Sequence, residues 1–212
     1  MTTIYLVRHG QSVNNLQKKF TGHADADLSP DGYAQAERVA DFLVSAGIQR
    51  IYSSDLMRAY NTALPTAKRL GLSIETTCEL RELGMGRWEN MSIEQIQKTY
   101  PEEYTAWLTG DTYLHAGGGE SWAELFDRVY KELHRIAEEN DEKTVLVAAH
   151  NGVLRSALLM VNGMTPDQRG EIPLIPNGGV LIFTYENGVF SFKEIQYLDP
   201  PDALDKPSTL IV

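Results

Sequence analysis

Arg8-His9-Gly10 follows directly on the short apolar run Thr3-Ile4-Tyr5-Leu6-Val7, and His150 follows in the same way on the run from Thr144 to Ala149. A neutral imidazole is a competent nucleophile, and a neighbouring guanidinium clamps the oxygens of a tetrahedral oxyanion in a fork. Gly10 lets the backbone turn and approach a ligand closely. Arg58 is placed in the first turn of a helix after the run Ile51-Tyr52-Ser53-Ser54. A cation there opposes the helix dipole, and a bound anion would rationalise it. Glu82, in Leu80-Arg81-Glu82-Leu83-Gly84, is a candidate proton donor and acceptor. Each feature alone also describes something bland: a solvated Arg, a hydrogen-bonded loop His, a surface carboxylate. The set together points to chemistry on a phosphate-like group.

Those residues need elements to position them. Thr3 to Val7 and Thr144 to Ala149 read as buried strands, the second bare of charge as in the middle of a parallel sheet. Ser29-Pro30 marks a helix start, with Ala36, Val39, Ala40 and Leu43 on one face and Gly47 as its stop. A helix from about Leu56 to Leu70 is expected to bend or break near Pro65. Ser121-Trp122-Ala123-Glu124 fits a capping box, and a further helix runs from about Val153 to Asn162. Asn187-Gly188 between two β-rich runs signals a hairpin. The alternation predicts one α/β domain over 1–212, a three-layer sandwich with a mostly parallel central sheet and helices on both faces. Ligands of such sheets sit beyond the carboxyl ends of the strands, where both histidines fall. Residues 83–119, irregular and rich in Trp, Tyr and Gly, are expected to form a small cap insertion; 199–212 reads as a C-terminal tail wrapping the surface.

Composition excludes several classes. The chain has 212 residues, 42% apolar, with a formal net charge of −10. Such an acidic body is a poor general binder of nucleic acid or anionic membrane, so neither is expected as a partner. No signal-like segment or membrane span is visible, and the cytoplasm is the expected compartment. The single cysteine, Cys78, rules out an intrachain disulfide and reads as a small buried hydrophobe. The five histidines show no paired ligand spacing, so no metal is expected.

The ordered set of motifs resembles the histidine phosphatase superfamily, which includes phosphoglycerate mutases and many phosphatases. The likeness rests on Leu6-Val7-Arg8-His9-Gly10-Gln11-Ser12 with Asn15, Phe20-Thr21-Gly22, Asp27-Leu28-Ser29, Tyr52-Ser53-Ser54-Asp55-Leu56 with Arg58-Ala59, Leu80-Arg81-Glu82, and Ala148-Ala149-His150. The resemblance implies a phosphoglycerate mutase-like fold, His9 as a nucleophile forming a phosphohistidine, and Arg8, Arg58 and His150 as ligands of the transferred phosphoryl. It implies Glu82 as general acid and then base, and Asn15, Thr21 and Gly22 on the phosphate or substrate side. His23 and Asn151 join those candidates. The sequence departs from the family at Gln11, where Glu is usual, and at Asn151, where Gly is usual. Asn tolerates left-handed backbone, so the turn after His150 is expected to survive.

Mutases of the family carry an Arg-His-Tyr-Gly stretch after the catalytic Glu. Here Leu83-Gly84-Met85-Gly86-Arg87-Trp88-Glu89 stands instead, followed by an acidic, aromatic region. The resemblance therefore implies the phosphatase branch: hydrolysis of a small phosphorylated substrate, with no cofactor. Phosphoglycerate mutase activity is the second reading and a non-catalytic phosphate-binding module the third. Met85, Arg87, Trp107, Tyr113 and His115 are candidates to line the leaving-group pocket. A homodimer is the one self-association expected.

Overall fold

The computed structural model describes residues 1–199. Of the expected tail only Asp199 falls within it, accepting hydrogen bonds from Arg38 Nε (2.9 Å) and Gln35 Nε2 (2.6 Å); residues 200–212 lie outside the described residues.

The strands are β1 (Thr2–Arg8), β2 (Arg50–Ser54), β3 (Ile74–Thr77), β4 (Thr144–Ala149), β5 (Val180–Glu186) and β6 (Val189–Gln196). They form one sheet in the order β3-β2-β4-β1-β5-β6. The first four are parallel, while β5 and β6 pair antiparallel at one edge through the Asn187-Gly188 turn. Both turn residues have positive φ, +52° and +82°, as a tight hairpin turn requires. The apolar, uncharged β4 lies in the interior of the sheet, between β2 and β1, where both faces are covered.

The α-helices are α1 (Val13–Leu16), α2 (Pro30–Leu43), α3 (Met57–Leu70), α4 (Ile93–Thr99), α5 (Pro101–Leu108), α6 (Trp122–Glu139) and α7 (Asn151–Val161). Side chains alternate across the sheet. Val7, Leu146 and Ala148 meet Val39 and Leu43 of α2 and Ala63 of α3 on one face. Ile4, Leu6, Val145 and Val147 meet α6 and α7 on the other. This is the expected three-layer sandwich.

Two local expectations, an interrupted α3 and a buried Cys78, are corrected. The helix α3 is unbroken at Pro65: a mid-helix proline costs about 3 kcal/mol, and burial of Ala59, Thr62, Ala63, Thr66 and Ala67 offsets it. Residues 83–119 hold two short helices, α4 and α5, each with a start signal in the sequence, the Ser92–Gln95 capping box and Pro101 at the first turn. Trp88, Ile96 and Tyr104 of this segment belong to the same apolar cluster as the sheet face. Cys78 is exposed rather than buried, because it opens a 3-10 turn at the end of the edge strand β3. That strand, Ile-Glu-Thr-Thr, was not legible as one; it has a single aliphatic residue and owes its conformation to pairing with β2.

Candidate active site

Strand register brings the two histidines together. In the β1–β4 ladder Arg8 stands opposite Ala149. The next residue on each strand, His9 and His150, therefore leaves the sheet at the same level. Their ring centroids are 5.1 Å apart with planes inclined at 61°. On the other flank of β4, β2 ends at Ser54, and α3 returns Arg58 to the same edge. His9, His150, Arg58 and Glu82 are 4, 0, 1 and 6% exposed, so the group is largely out of water and its charges act at short range.

His9 Nδ1 lies 2.6 Å from the carbonyl oxygen of Gly10. A carbonyl only accepts, so Nδ1 carries the hydrogen and Nε2 presents its lone pair. Burial, reinforced by the charges of Arg58 and Arg8, holds the His9 pKa well below its ordinary 6.5; the Gly10 bond opposes this but does not win. His150 is held low by burial and then by Arg58. Both rings are neutral at pH 7. Burial lowers Arg8 and Arg58 to about 10, leaving them charged.

The arginines are anchored through the backbone. Arg58 Nη1 and Nη2 donate to the carbonyls of Ala24 (2.9 Å) and Gly22 (2.8 Å), and Arg8 Nη1 donates to Ile175 O. The Nε atoms of both, and both ring nitrogens of His150, are buried without a partner in the protein. Orphaned donors and acceptors cost about 1–3 kcal/mol each. Grouped around His9, they suit an oxyanion.

Glu82 reaches the same edge from the segment after β3. Its Oε1 accepts from the N–H groups of Leu83 (2.9 Å) and Gly152 (3.0 Å), the latter in the first turn of α7. The helix N-terminus thus holds the carboxyl group beside His150. Gly152 has to be glycine: a Cβ there would sit inside contact distance of Glu82 Oε1 and 2.9 Å from Leu125 Cδ2.

The remaining expected residues divide. Thr21 is buried with an unpartnered Oγ1. Gly22, at φ +51°, gives its carbonyl to Arg58, and His23 Nε2 donates to the Glu82 carbonyl (2.8 Å). Asn15 is engaged in capping α1, where its Oδ1 accepts from Ser12 N at 3.1 Å. Asn151 needs no left-handed backbone; it begins α7, which starts two residues earlier than expected. Its Oδ1 accepts from Ile175 N (3.1 Å), and its Nδ2 is buried and unpartnered.

Some contributors were not picked out from the sequence. Asn177 Nδ2 donates to the His9 carbonyl (2.9 Å), Gly178 N to the Arg8 carbonyl (3.1 Å), and Arg8 N to Gly179 O (3.0 Å). Thr62 Oγ1 accepts from Gly10 N at 2.9 Å. Pro176-Asn177-Gly178-Gly179 carries a turn signal, but nothing local says that it turns around residues 8 and 9. A cleft beside Glu82 is lined by His23, Glu89, His115, Glu120, Glu124 and the glycines between them. Of the expected pocket residues only His115 lines it. Met85 is core, Trp107 stacks with Phe20, Trp88 and Tyr104, Arg87 pairs with Glu103, and Tyr113 is exposed. Among the described residues, no group of three His, Cys, Asp or Glu is placed to hold a metal ion, and no helix is long and apolar enough to cross a membrane.

With this geometry in place, comparison with known proteins is direct. The family model of the histidine phosphatase superfamily (branch 1) matches residues 4–197, so the chain belongs to that superfamily. It is 38% identical over 156 residues to phosphoglycerate mutase-like protein 4 of Arabidopsis thaliana, covering 72% of this chain and 68% of that protein. It is 32% identical over 164 residues to phosphoserine phosphatase 1 of Hydrogenobacter thermophilus, covering 77% and 78%. The α-ribazole phosphatase of Shigella flexneri superposes with a TM-score of 0.86 over 92% of this chain and 96% of that one; at 22% identity this speaks for the fold alone.

Proposed function

We propose that the protein is a phosphomonoesterase that hydrolyses a small phosphorylated metabolite through a phosphohistidine on His9. The observation that carries this reading is the fixed tautomer of His9, with Nδ1 on the Gly10 carbonyl and Nε2 free beside His150 in a buried, cationic pocket. Nε2 attacks phosphorus as the ester P–O bond breaks, and the leaving oxygen takes a proton from the Glu82 carboxyl group. Water then attacks the phosphohistidine, giving its proton to the Glu82 carboxylate while the P–N bond breaks. Arg8, Arg58 and His150 stabilise the charge spread over the three phosphoryl oxygens, the main catalytic task in phosphoryl transfer. Thr21, Asn15 and the Asn151 amide are supporting donors to the same group.

Net hydrolysis is preferred over mutase action for one reason. The cleft beside Glu82 is lined by three glutamates and two histidines and by no Lys or Arg, so it offers a substrate carboxylate no cationic partner. The likeness to a phosphoserine phosphatase of Hydrogenobacter thermophilus agrees with that choice. A cytoplasmic setting is part of the reading; the exposed free thiol of Cys78 suits a reducing compartment.

The test is a panel of phosphomonoesters with 3-phosphoglycerate included, assayed for phosphate release and for isomerisation, with acid-quench trapping of the phosphoenzyme. Phosphate release with a trappable phosphohistidine is expected. Isomerisation of 3-phosphoglycerate faster than its hydrolysis would replace the phosphatase reading by the mutase one. Silence across the panel would leave a phosphate-binding module.

A further inference from the structure

Glu82 is tied through its main chain as well as through its carboxyl group. Its main-chain carbonyl accepts two side-chain hydrogen bonds, from His23 Nε2 (2.8 Å) and from Arg128 Nη2 (2.9 Å). Arg128 lies on α6, far from the sequence motifs, and each of its guanidinium nitrogens donates a hydrogen bond. Nη1 donates to Glu79 O (2.7 Å), Nε to Glu120 Oε1 (2.6 Å), and Nη2 also to Glu120 Oε2 (2.8 Å). Glu120 in turn is joined to the strand of chain after Glu82: its N–H donates to Gly84 O (2.7 Å), and Gly84 N approaches Glu120 Oε2 at 3.3 Å.

We propose that Arg128, held by Glu120, is a positioning residue for Glu82. Residues 81–85 lie between two 3-10 turns and outside any helix or strand, so Glu82 has no regular element of its own to fix its place. The planar guanidinium bridges the first of those turns and this segment to the N-terminal end of α6. A lysine could not do this, since its ammonium is a single point while these acceptors demand a fork. Both side chains are 16% exposed, so the pair works in partial shelter from water and salt. His23 completes the arrangement from the other side, joining the loop that holds Arg58 to the same carbonyl. The carboxyl group is thereby set relative to the phosphoryl pocket by two independent elements, and proton transfer depends steeply on such placement.

The inference rests on Glu82 being the general acid, and the experiment separates the two. Values of kcat/KM, which report the steps up to departure of the leaving group and not the later hydrolysis of the phosphoenzyme, are measured for aryl and alkyl phosphates of graded leaving-group pKa, in wild type, Glu82→Gln, Arg128→Gln, Arg128→Lys and Glu120→Gln, with inorganic phosphate as competitive inhibitor. Arg128→Gln and Arg128→Lys should slow alkyl phosphates by about tenfold to a hundredfold, part of the ~10²–10⁴ that a general acid supplies. They should leave 4-nitrophenyl phosphate within about threefold and phosphate inhibition unchanged, because activated leaving groups need no proton. Glu82→Gln combined with Arg128→Gln should be no steeper than Glu82→Gln alone. Glu120→Gln should steepen the dependence on leaving-group pKa in the same direction but more weakly, and that slope rather than the rate with any one substrate serves if the Arg128 variants do not fold, since Glu120 also lines the cleft. Equal losses across leaving groups, or additive effects in the double variant, overturn the positioning role. A flat response in Glu82→Gln itself overturns the assignment of Glu82, and the inference with it.

Discussion

His9 and His150 stand edge to face at 5.1 Å, each on the residue after a neighbouring parallel strand, and neither ring is hydrogen-bonded to a carboxylate. The pair is therefore two neutral imidazoles under the influence of two arginines. One has its tautomer set by a carbonyl; the other keeps both nitrogens free for a ligand. Replacing His9 by Ala should abolish turnover and the acid-labile phosphoenzyme together. The check is acid-quench trapping with labelled substrate; a phosphoenzyme that survives in His9→Ala would place the nucleophile elsewhere.

The free nitrogens of His150 predict a ligand effect on stability. Phosphate or vanadate that accepts a hydrogen bond from the His150 N–H should raise the thermal midpoint of the wild type, as any ligand of the native state does. In His150→Ala the rise at equal ligand concentration should largely vanish while the fold persists. An undiminished rise would mean that His150 does not touch the anion.

Gly152 predicts a steric effect. Its Cβ position is already occupied by the Glu82 carboxylate and Leu125, so Gly152→Ala has to move one of them. A stability loss of about 1–3 kcal/mol is expected, as for other overpacked sites. The loss in kcat should reach about a hundredfold, since a displacement of about 1 Å in an active site costs that much. Melting curves beside steady-state kinetics decide it; wild-type kinetics in the folded variant would detach Glu82 from α7.

The depressed histidine pKa values carry a pH dependence of defined sign. Above pH 6.5 His9 and His150 are neutral both folded and unfolded, and they add no slope. Below 6.5 the unfolded chain binds the protons first, so stability falls with falling pH until the folded values are reached. Each group contributes up to about 1.4 kcal/mol per pH unit in that window. Denaturant melts between pH 7 and 4.5 should show a shallower acid limb in the His9→Asn, His150→Asn double variant than in the wild type. Equal limbs would refute the burial argument.

In the proposed mechanism Arg8 and Arg58 supply the positive field and the neutral His150 a hydrogen bond, so prolonged treatment with a chelator should leave hydrolysis unchanged. A clear loss restored by one metal would show that a cation takes part.

What the sequence determined by itself was local in origin. Strand ends followed by Arg8-His9-Gly10 and His150, the Ser29-Pro30 and Ser121–Glu124 helix starts and the Asn187-Gly188 hairpin are each written in a few consecutive residues, and short-range sterics and capping enforce them. Their order along the chain was enough for the sandwich and for placing His9 and His150 just beyond strands of one sheet. Tertiary structure alone decided the rest. Register in the β1–β4 ladder set His9 beside His150, pairing with β2 made a strand of the polar Ile74–Thr77, and burial against the sheet kept α3 whole through Pro65. The 175–179 loop wrapping Arg8 and His9, and Arg128 gripping the carbonyl of Glu82, join residues up to 171 and 46 positions apart. Long-range hydrogen bonds of that kind leave no periodicity or spacing behind, because the chain between their ends can be almost anything that folds.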